Sequence, residues 1–270
     1  MTAQQIYEKI KAHISIIFKE DTHQYFIENE EYHSVSRVLG TIEKPFDGDK
    51  MSLKSSQNQE HEHFGKSQDE ILAIWAENNK AACDNGHIFH LYAENWIRLS
   101  YCEDSVNVIS LSQDIIYITD KNTHLEPYFA AFNLFFAKQI CQNNYQLVGL
   151  EVQIASKKYK ICGTFDALFM YLGMLIIFDW KTNKKFDSNS SYKLNAPYQD
   201  YDSSKHTYYT FQVHIYRWIL ENEYGIPVKD SRIIWFNGGE YQIFKPAFAY
   251  NAIFIESVLE RYHKIHLSNN

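Results

Sequence analysis

Two aspartates and a lysine stand at the ends of the most apolar stretch of the chain, "GTFDALFMYLGMLIIFDWKTNKK" at residues 163–185. Asp166 lies near its start, and Asp179 and Lys181 follow its last apolar run. If Leu172–Gly173 forms a tight turn, antiparallel partners have residue numbers that sum to 345, so Asp166 falls opposite Asp179. Opposed residues share a face, which places the two carboxylates ~5 Å apart at Cβ. Two like charges that close are costly unless a cation lies between them.

The preceding hairpin adds a third acid to this pair. A turn near Lys158–Tyr159 places Glu151 opposite or nearly opposite Asp166, so three carboxylates form a row across three strands. Lys181 follows Asp179 by two residues, and because strand side chains alternate it points to the same face, ~6–7 Å further along. Carboxylates for a divalent metal with an ammonium beside them are the parts of a hydrolytic site.

Phosphodiester cleavage is the chemistry that needs this combination. Carboxylate oxygens hold Mg²⁺ or Mn²⁺, the ion lowers the pKa of a bound water, and a nearby ammonium orients the water or stabilises the charge that develops on the phosphate. A D-x-K tripeptide by itself is weak evidence, because about one is expected by chance in a chain of this length. What indicates catalysis is the combination of Lys181 with acids at matching positions on neighbouring strands.

This arrangement resembles the PD-(D/E)xK nuclease superfamily. Two flanking motifs extend the resemblance to the RecB-like branch: "GHIFHLYAE" supplies Gly86, His90 and Glu94 upstream, and "QVHIY" supplies Gln212 and Tyr216 downstream. The segment "EYHSVSRVLG" is more loosely similar to exonucleases of the mitochondrial genome-maintenance and phage type. The match covers about half of the chain.

The resemblance implies a role for each residue of the site. The metal ligands would be His90, Asp166, Asp179, Glu151 and the carbonyl oxygen of Trp180, with Glu151 binding a second ion or positioning a water. Lys181 would be the catalytic lysine, acting with the three acids, and the substrate contacts would be Gln212, Tyr216 and Glu94. Each flanking pair also has a plainer interpretation, as an i, i+4 pair on a helix surface or as one surface and one core residue.

The strands and helices that carry these residues follow from periodicity. Three β-rich runs predict an antiparallel meander at residues 146–155, 159–171 and 174–181. A helix that is apolar nearly all round precedes it at residues 125–140 and should pack on the sheet. A helix ending at Gly225, two strands around Gly238–Gly239 and a last helix follow.

The segments before the meander are less regular. Helical spacing from Asp69 to Leu99 predicts two helices with a break near Asn85–Gly86. Residues 43–68 are polar and read as a loop, and a short strand is expected at Ile115–Ile118. An N-terminal β-hairpin around residues 20–23 leads to a helix capped by Ser34.

These elements predict an α/β fold of the α+β kind, with a restriction-endonuclease-like core. Its central sheet is expected to be mixed, with an antiparallel three-strand meander flanked by helices, plus the N-terminal β-hairpin. Residues 1–68 would hold the hairpin, a short helix and the polar loop, and residues 69–270 the nuclease domain. With 270 residues, 45% of them hydrophobic, the chain can bury a substantial core.

Composition restricts the location and the partners. The longest apolar run falls short of the roughly 20 residues of a membrane span, and the N-terminus lacks a basic signal region, so we expect an intracellular protein without membrane contact. The net charge of −7 means that a polyanion must meet a local patch, such as the lysines at 157, 158 and 160 or at 181, 184 and 185. No cysteine follows Cys162, whereas superfamily members with an iron–sulfur cluster carry three after the core, so no such cluster is expected.

The expected function is a DNA exonuclease that depends on one or two Mg²⁺ or Mn²⁺ ions and acts on single-stranded or duplex ends. A helicase, recombinase or replication protein would be its partner. Three alternatives remain open: a catalytically silent nucleic-acid-binding or assembly subunit on the same fold, a structure-specific endonuclease, and a metal hydrolase of another phosphate ester.

Overall fold

A computed structural model describes residues 1–19, 22, 24–102 and 122–266. Its helices are α1 (Ala3–His13), α2 (Val35–Ile42), α3 (Gly48–Gln57), α4 (Gln68–Cys102), α5 (Glu126–Phe135), α6 (Lys205–Asn222) and α7 (Ala252–His266). Its strands are β1 (Ile17–Lys19), β2 (Gln24–Ile27), β3 (Glu30–Ser34), β4 (Gln146–Ser156), β5 (Ile161–Tyr171), β6 (Met174–Lys181), β7 (Asp230–Asn237) and β8 (Glu240–Phe244). A 3₁₀ turn (Thr123–Leu125) precedes α5, and a π-helical turn (Phe136–Cys141) follows it.

The strands form one mixed sheet in the order β1-β2-β3-β5-β6-β7-β8, with β4 paired to β5. β4 runs antiparallel along one edge of β5 from Ile161 to Met170. The other edge of β5 is shared, because β3 pairs in parallel at its start, up to Cys162, and β6 pairs antiparallel from Ala167 onward. Between these two partners β5 has a short stretch of open edge, which contains Asp166.

The predicted fold class is confirmed, since the sheet is mixed, carries the antiparallel meander β4-β5-β6 and is flanked by helices. The predicted register is confirmed as well: every β5–β6 pair, from Ala167–Phe178 to Tyr171–Met174, sums to 345. The left-handed backbone at Leu172 (φ 49°) and Gly173 (φ 76°) forms the turn. Strand β7 then pairs in parallel with β6, which makes the sheet mixed.

Two predictions upstream of the meander are wrong. Helix α4 runs through Asn85–Gly86 without a break, because a glycine inside a helix costs only about 1 kcal/mol and α4 is anchored beyond it by fully buried side chains such as Phe89 and Ile97. Residues 43–68 contain α3, which Asp47 caps by accepting a hydrogen bond from the Lys50 N–H at 3.0 Å.

The N-terminal segment has more structure than a hairpin. β1, β2 and β3 form a three-strand antiparallel unit, and β3 joins it to the sheet through β5. The predicted cap is confirmed, since the Ser34 hydroxyl accepts a hydrogen bond from the Arg37 N–H at 3.1 Å. The turn predicted at residues 20–23 and the strand predicted at Ile115–Ile118 lie outside the described residues, apart from residue 22.

Two hydrophobic cores lie on opposite faces of the sheet. The α6 core packs α1, α2, α6 and α7 on one face and includes Val152, Phe165 and Leu168 from the meander. The α5 core packs α4 and α5 on the other face and includes Leu150 and Ala167. The helix at residues 125–140 is therefore buried on the sheet, as predicted. Within the described ranges, no helix has the length and apolar character that crossing a bilayer requires.

A buried histidine in the α6 core makes stability depend on pH. His214 is 2% exposed and contacts the rings of Phe248 and Tyr250. Burial, reinforced by Arg217, lowers its pKa from 6.5 to about 4. Below pH 6.5 this imidazole binds a proton in the unfolded chain, whereas in the folded chain it stays neutral down to about pH 4. The free energy of unfolding therefore falls by about 3 kcal/mol as the pH is lowered through this window.

The His214→Gln variant should lack this part of the acid loss. The measurement is the free energy of unfolding in urea at pH 7 and pH 4.5 for both proteins, because the difference between them cancels the contribution of shared carboxylates. Equal losses in the two proteins would contradict the prediction.

Candidate metal centre

Glu151 lies in β4 beside the part of β5 that contains Asp166, at a point where the backbone of β4 is left-handed. The pairs on either side of it, Leu150–Ala167 and Val152–Phe165, both sum to 317, which places Glu151 opposite Asp166. Glu151 has a left-handed backbone with φ 45°. Leu150 and Val152 consequently pack into opposite cores although they are two residues apart. Phe165 and Ala167 of β5 divide between the two cores in the same way, so both strands change faces here without a shift of register.

The reversal places Glu151 in a group with Asp166 and with His90 from α4. Donor atoms of these three side chains all lie within 4.8 Å of one another. His90 Nδ1 is 3.0 Å from Asp166 Oδ1 and 3.8 Å from Glu151 Oε1. The side chains of His90 and Glu151 are about one-third exposed, at 31% and 34%, whereas that of Asp166 is 7% exposed. The group is thus a shallow centre with Asp166 at its floor. His87, the neighbouring histidine of α4, is exposed.

β5 and β6 separate at the centre. Their ladder stops at Ala167–Phe178, one pair short of Asp166 and Asp179. The backbone N–H of Trp180 donates to Asp166 Oδ2. A side chain therefore takes the place of a ladder partner, which fixes one oxygen of Asp166 and leaves the other facing His90. The indole of Trp180 is 2% exposed in the α5 core and anchors this part of β6.

Asp179 and Lys181 form a second group on the same stretch of β6. Lys181 Nζ lies 2.5 Å from Asp179 Oδ2, and the side chains are 16% and 3% exposed. That oxygen is buried and receives no well-aligned hydrogen bond, so the ammonium is what compensates its charge. The predicted common face of these two residues is confirmed. The ammonium also lies 4.6 Å from the ring centre of Tyr209 on α6, a contact that the sequence did not reveal.

The electrostatics reflect acids packed close together. Burial alone would lower the pKa of His90, but the carboxylates of Asp166 and Glu151 raise it to about 10. Burial raises the pKa of Asp179 to about 6 against the opposing effect of Lys181, and the charge of Asp166 adds to the rise. Burial also raises the pKa of Glu151. For Lys181, the nearby carboxylates overcome burial and raise the pKa.

The residues present fit a divalent cation of the Mg²⁺ or Mn²⁺ type. Two carboxylates and an imidazole are ligands suited to such ions, and ligand atoms around one ion at about 2.1 Å lie ~3–4 Å apart, so the 4.8 Å group needs only a small contraction. Burial is the main cause of the raised pKa of Asp179 and the charge of Asp166 adds to it, so a cation close to both carboxylates would favour their charged forms. The structure thus brings together His90, Glu151 and Asp166 and holds Asp179 beside Lys181, outside that group.

The three residues predicted to contact substrate have partners inside the protein. Tyr216 is 2% exposed and packs against Gly163, where an added Cβ would come 2.5 Å from its ring. Gln212 Nε2 donates to the Tyr216 hydroxyl at 3.0 Å, and its Oε1 is buried without a partner. Glu94 accepts from Arg98 Nε at 3.0 Å. Of the three, Gln212 has an acceptor still available.

The left-handed backbone at Glu151 can be tested by its effect on stability. A non-glycine residue at positive φ is strained, whereas glycine adopts it freely. Both Glu151→Gly and Glu151→Ala remove the carboxylate, so their comparison isolates the backbone. We expect the glycine variant to be more stable than the alanine variant by about 1 kcal/mol in urea unfolding. An alanine variant as stable as the glycine variant would contradict the strained conformation.

Comparison with known proteins adds little to this geometry. No family model and no curated protein matches the chain. A solved structure titled "Crystal structure of SSO0001" is similar over 67% of this chain and 75% of that chain, with 15% sequence identity and a TM-score of 0.31. A similarity of that size carries no functional argument, so the chemistry of the centre has to be argued from its own residues.

Proposed function

We propose that this chain is a divalent-metal-dependent deoxyribonuclease, and specifically a DNA exonuclease. The observation that carries the proposal is the grouping of donor atoms from His90, Glu151 and Asp166 within 4.8 Å, with the Asp179–Lys181 ion pair on the adjacent strand. Several carboxylates and one fixed ammonium lie where β5 and β6 separate. Burying charged groups lowers the stability of a protein, so this arrangement suits hydrolysis of a phosphodiester better than structural support.

Each residue has a defined task in this proposal. A divalent ion held at the centre would supply Lewis-acid activation of a water and would neutralise charge at the scissile phosphate. Glu151 and Asp166 supply oxygen ligands and His90 supplies nitrogen. The Trp180 N–H keeps Asp166 in its orientation. Lys181, fixed by Asp179, places a positive charge where the phosphate accumulates negative charge in the transition state.

DNA as the substrate is supported by the resemblance of the motifs and by the distribution of lysines. The cluster at residues 157, 158 and 160 is neutralised by ion pairs with Glu28, Glu256 and Glu30. Lys184 and Lys185, by contrast, are exposed and follow the catalytic lysine by three and four residues. These two side chains are available to contact a phosphate backbone. Exposed lysines therefore follow Lys181 in the sequence, although the whole chain carries −7.

Digestion of end-labelled DNA tests the proposal. Linear single-stranded and duplex DNA, labelled at the 5′ or the 3′ end, and the corresponding circular DNA are incubated with Mg²⁺, Mn²⁺ or EDTA. We expect linear DNA to be degraded from an end in either cation, circular DNA to survive, and EDTA to abolish cleavage because the acids then have no ion to hold.

The other outcomes separate the alternatives. Cleavage of circular DNA indicates an endonuclease. Salt-dependent DNA binding without metal-dependent turnover indicates a catalytically silent binding subunit. Hydrolysis of a small phosphodiester with no action on DNA indicates a hydrolase of another phosphate ester.

A further inference from the structure

The lysine of the centre needs more than one contact to stay in place. Its side chain has four flexible methylene groups, and a catalytic ammonium misplaced by about 1 Å loses much of its effect. Among the described residues, Lys181 Nζ contacts the Asp179 carboxylate at 2.5 Å and the ring of Tyr209, whose centre is 4.6 Å away. The distance to the ring is typical of a cation–π contact.

Tyr209 is itself held against the segment that carries the lysine. Its hydroxyl donates to Asn183 Oδ1 at 3.1 Å, and the Asn183 carbonyl accepts from the indole Nε1 of Trp235 at 2.7 Å. The ring of Phe186 lies 5.9 Å from that of Tyr209. The ring is therefore fixed relative to the end of β6, and α6 supplies it from the side of the sheet opposite to α4.

The ring and the carboxylate hold the ammonium in different ways. Asp179 pairs with Lys181 through a carboxylate, a group that a divalent cation at the adjacent centre would also attract. The face of Tyr209 attracts a cation through its quadrupole and has no formal charge with which to neutralise it. A hard divalent ion prefers oxygen ligands to such a face. The ring contact would therefore be less affected by a bound cation than the contact with the carboxylate is.

We infer that Tyr209 is a positioning residue for Lys181: the face of its ring holds the ammonium in place for the hydrolysis proposed above. This inference rests on the proposed function. It makes the ring, and not the hydroxyl, the part that acts on Lys181. It also separates Tyr209 from Gln212 and Tyr216, which lie on the same helix and hydrogen-bond to each other.

Kinetics with matched variants test the inference. We expect Tyr209→Phe to retain activity within about threefold, and Tyr209→Leu to lower kcat roughly 10-fold with KM within about threefold, as expected for loss of a desolvated cation–π contact. Tyr208→Leu is the matched control, because that ring holds the exposed Lys205 at 5.5 Å instead. Equal kcat values for Tyr209→Leu and the wild type would overturn the inference.

A double-variant comparison excludes a purely structural role or base stacking. If Tyr209 acts through Lys181, Tyr209→Leu adds less than about a twofold loss when Lys181 is already methionine. An equal 10-fold loss in both backgrounds would overturn the inference. Single-turnover cleavage of radiolabelled DNA makes the slow variants measurable.

A readout without activity keeps the inference separate from the proposed function. In metal-free protein, an amine-reactive acylating reagent is applied and modification of Lys181 is compared with that of Lys184 by peptide mass spectrometry. Tyr209→Leu should increase labelling of Lys181 several-fold, and Tyr209→Phe should not. Unchanged labelling in Tyr209→Leu overturns the contact, whereas a wild type that cleaves nothing in any cation overturns the proposed function and the catalytic part of the inference with it.

Discussion

Replacing Asp166 by asparagine is expected to lower the rate of the proposed DNA cleavage by roughly 1,000-fold, because the candidate metal centre would lose a charged ligand at its floor. Asparagine has the same shape and keeps an oxygen that can accept the Trp180 N–H. The charge that pairs with His90 disappears, however, and with it a principal attraction for a cation. Binding of Mn²⁺, measured by calorimetry, should weaken in parallel with the loss of activity.

The matched control for this variant is Asp200→Asn, which removes an exposed carboxylate from the loop before α6. It should cleave at the wild-type rate. Thermal unfolding of Asp166→Asn, followed by circular dichroism, should give a cooperative transition, which would place the loss of activity in a folded protein. An Asp166→Asn protein that folds and still cleaves within about tenfold of the wild-type rate would remove the centre from the mechanism.

Replacing Lys181 by methionine should lower cleavage by at least roughly 100-fold while leaving Mn²⁺ binding in place. Methionine keeps most of the apolar stem, so it fills similar space without the charge. Loss of activity with retained metal binding is the pattern expected for a residue that stabilises the transition state and is not a metal ligand. Lys184→Met, which removes an exposed lysine three residues on, is the control and should lose far less. A Lys181→Met protein as active as this control would contradict the role.

The same substitution carries a stability cost that has to be separated from catalysis. Asp179 is 2% exposed, so removing its ammonium partner leaves a buried charge uncompensated and should lower the free energy of unfolding by about 3 kcal/mol at pH 7.5. The double variant Asp179→Asn with Lys181→Met removes both charges and should regain most of that stability without regaining activity. A double variant no more stable than Lys181→Met alone would show that the ion pair does not account for the loss.

Local pattern alone was sufficient for the parts of the fold whose hydrophobic period is unambiguous. The alternation in β4, β5 and β6 and the turn at Leu172–Gly173 predicted the meander and its register, because a one-residue slip would move every buried side chain to the wrong face. The nearly all-apolar helix at residues 125–140 was predicted as buried, since it has no polar face to turn to water. Ser34 was predicted as a cap from its hydroxyl alone.

Local sequence signals gave wrong predictions for two helices, α3 and α4, where tertiary packing outweighed local propensity. Gly86 reads as a helix break, yet α4 continues because its second half is buried against α5 and the sheet. The polar composition of residues 43–68 reads as a loop, yet α3 forms there and packs on the first half of α4. In both cases contacts with distant residues stabilise a helix that local propensity does not favour.

The site divides in the same way. Strand register predicted that Glu151, Asp166, Asp179 and Lys181 lie close together on the sheet, and the resemblance of the motif on α4 added His90. Only the tertiary structure decided their grouping, because regular alternation would have left Glu151 on a fixed face, whereas its left-handed backbone turns the strand toward His90. Two further features depend on tertiary contacts. One is the separation of β5 and β6, where the Trp180 N–H donates to Asp166. The other is the contact between Lys181 and the ring of Tyr209 on α6. Periodicity describes one element at a time and holds no information about such contacts.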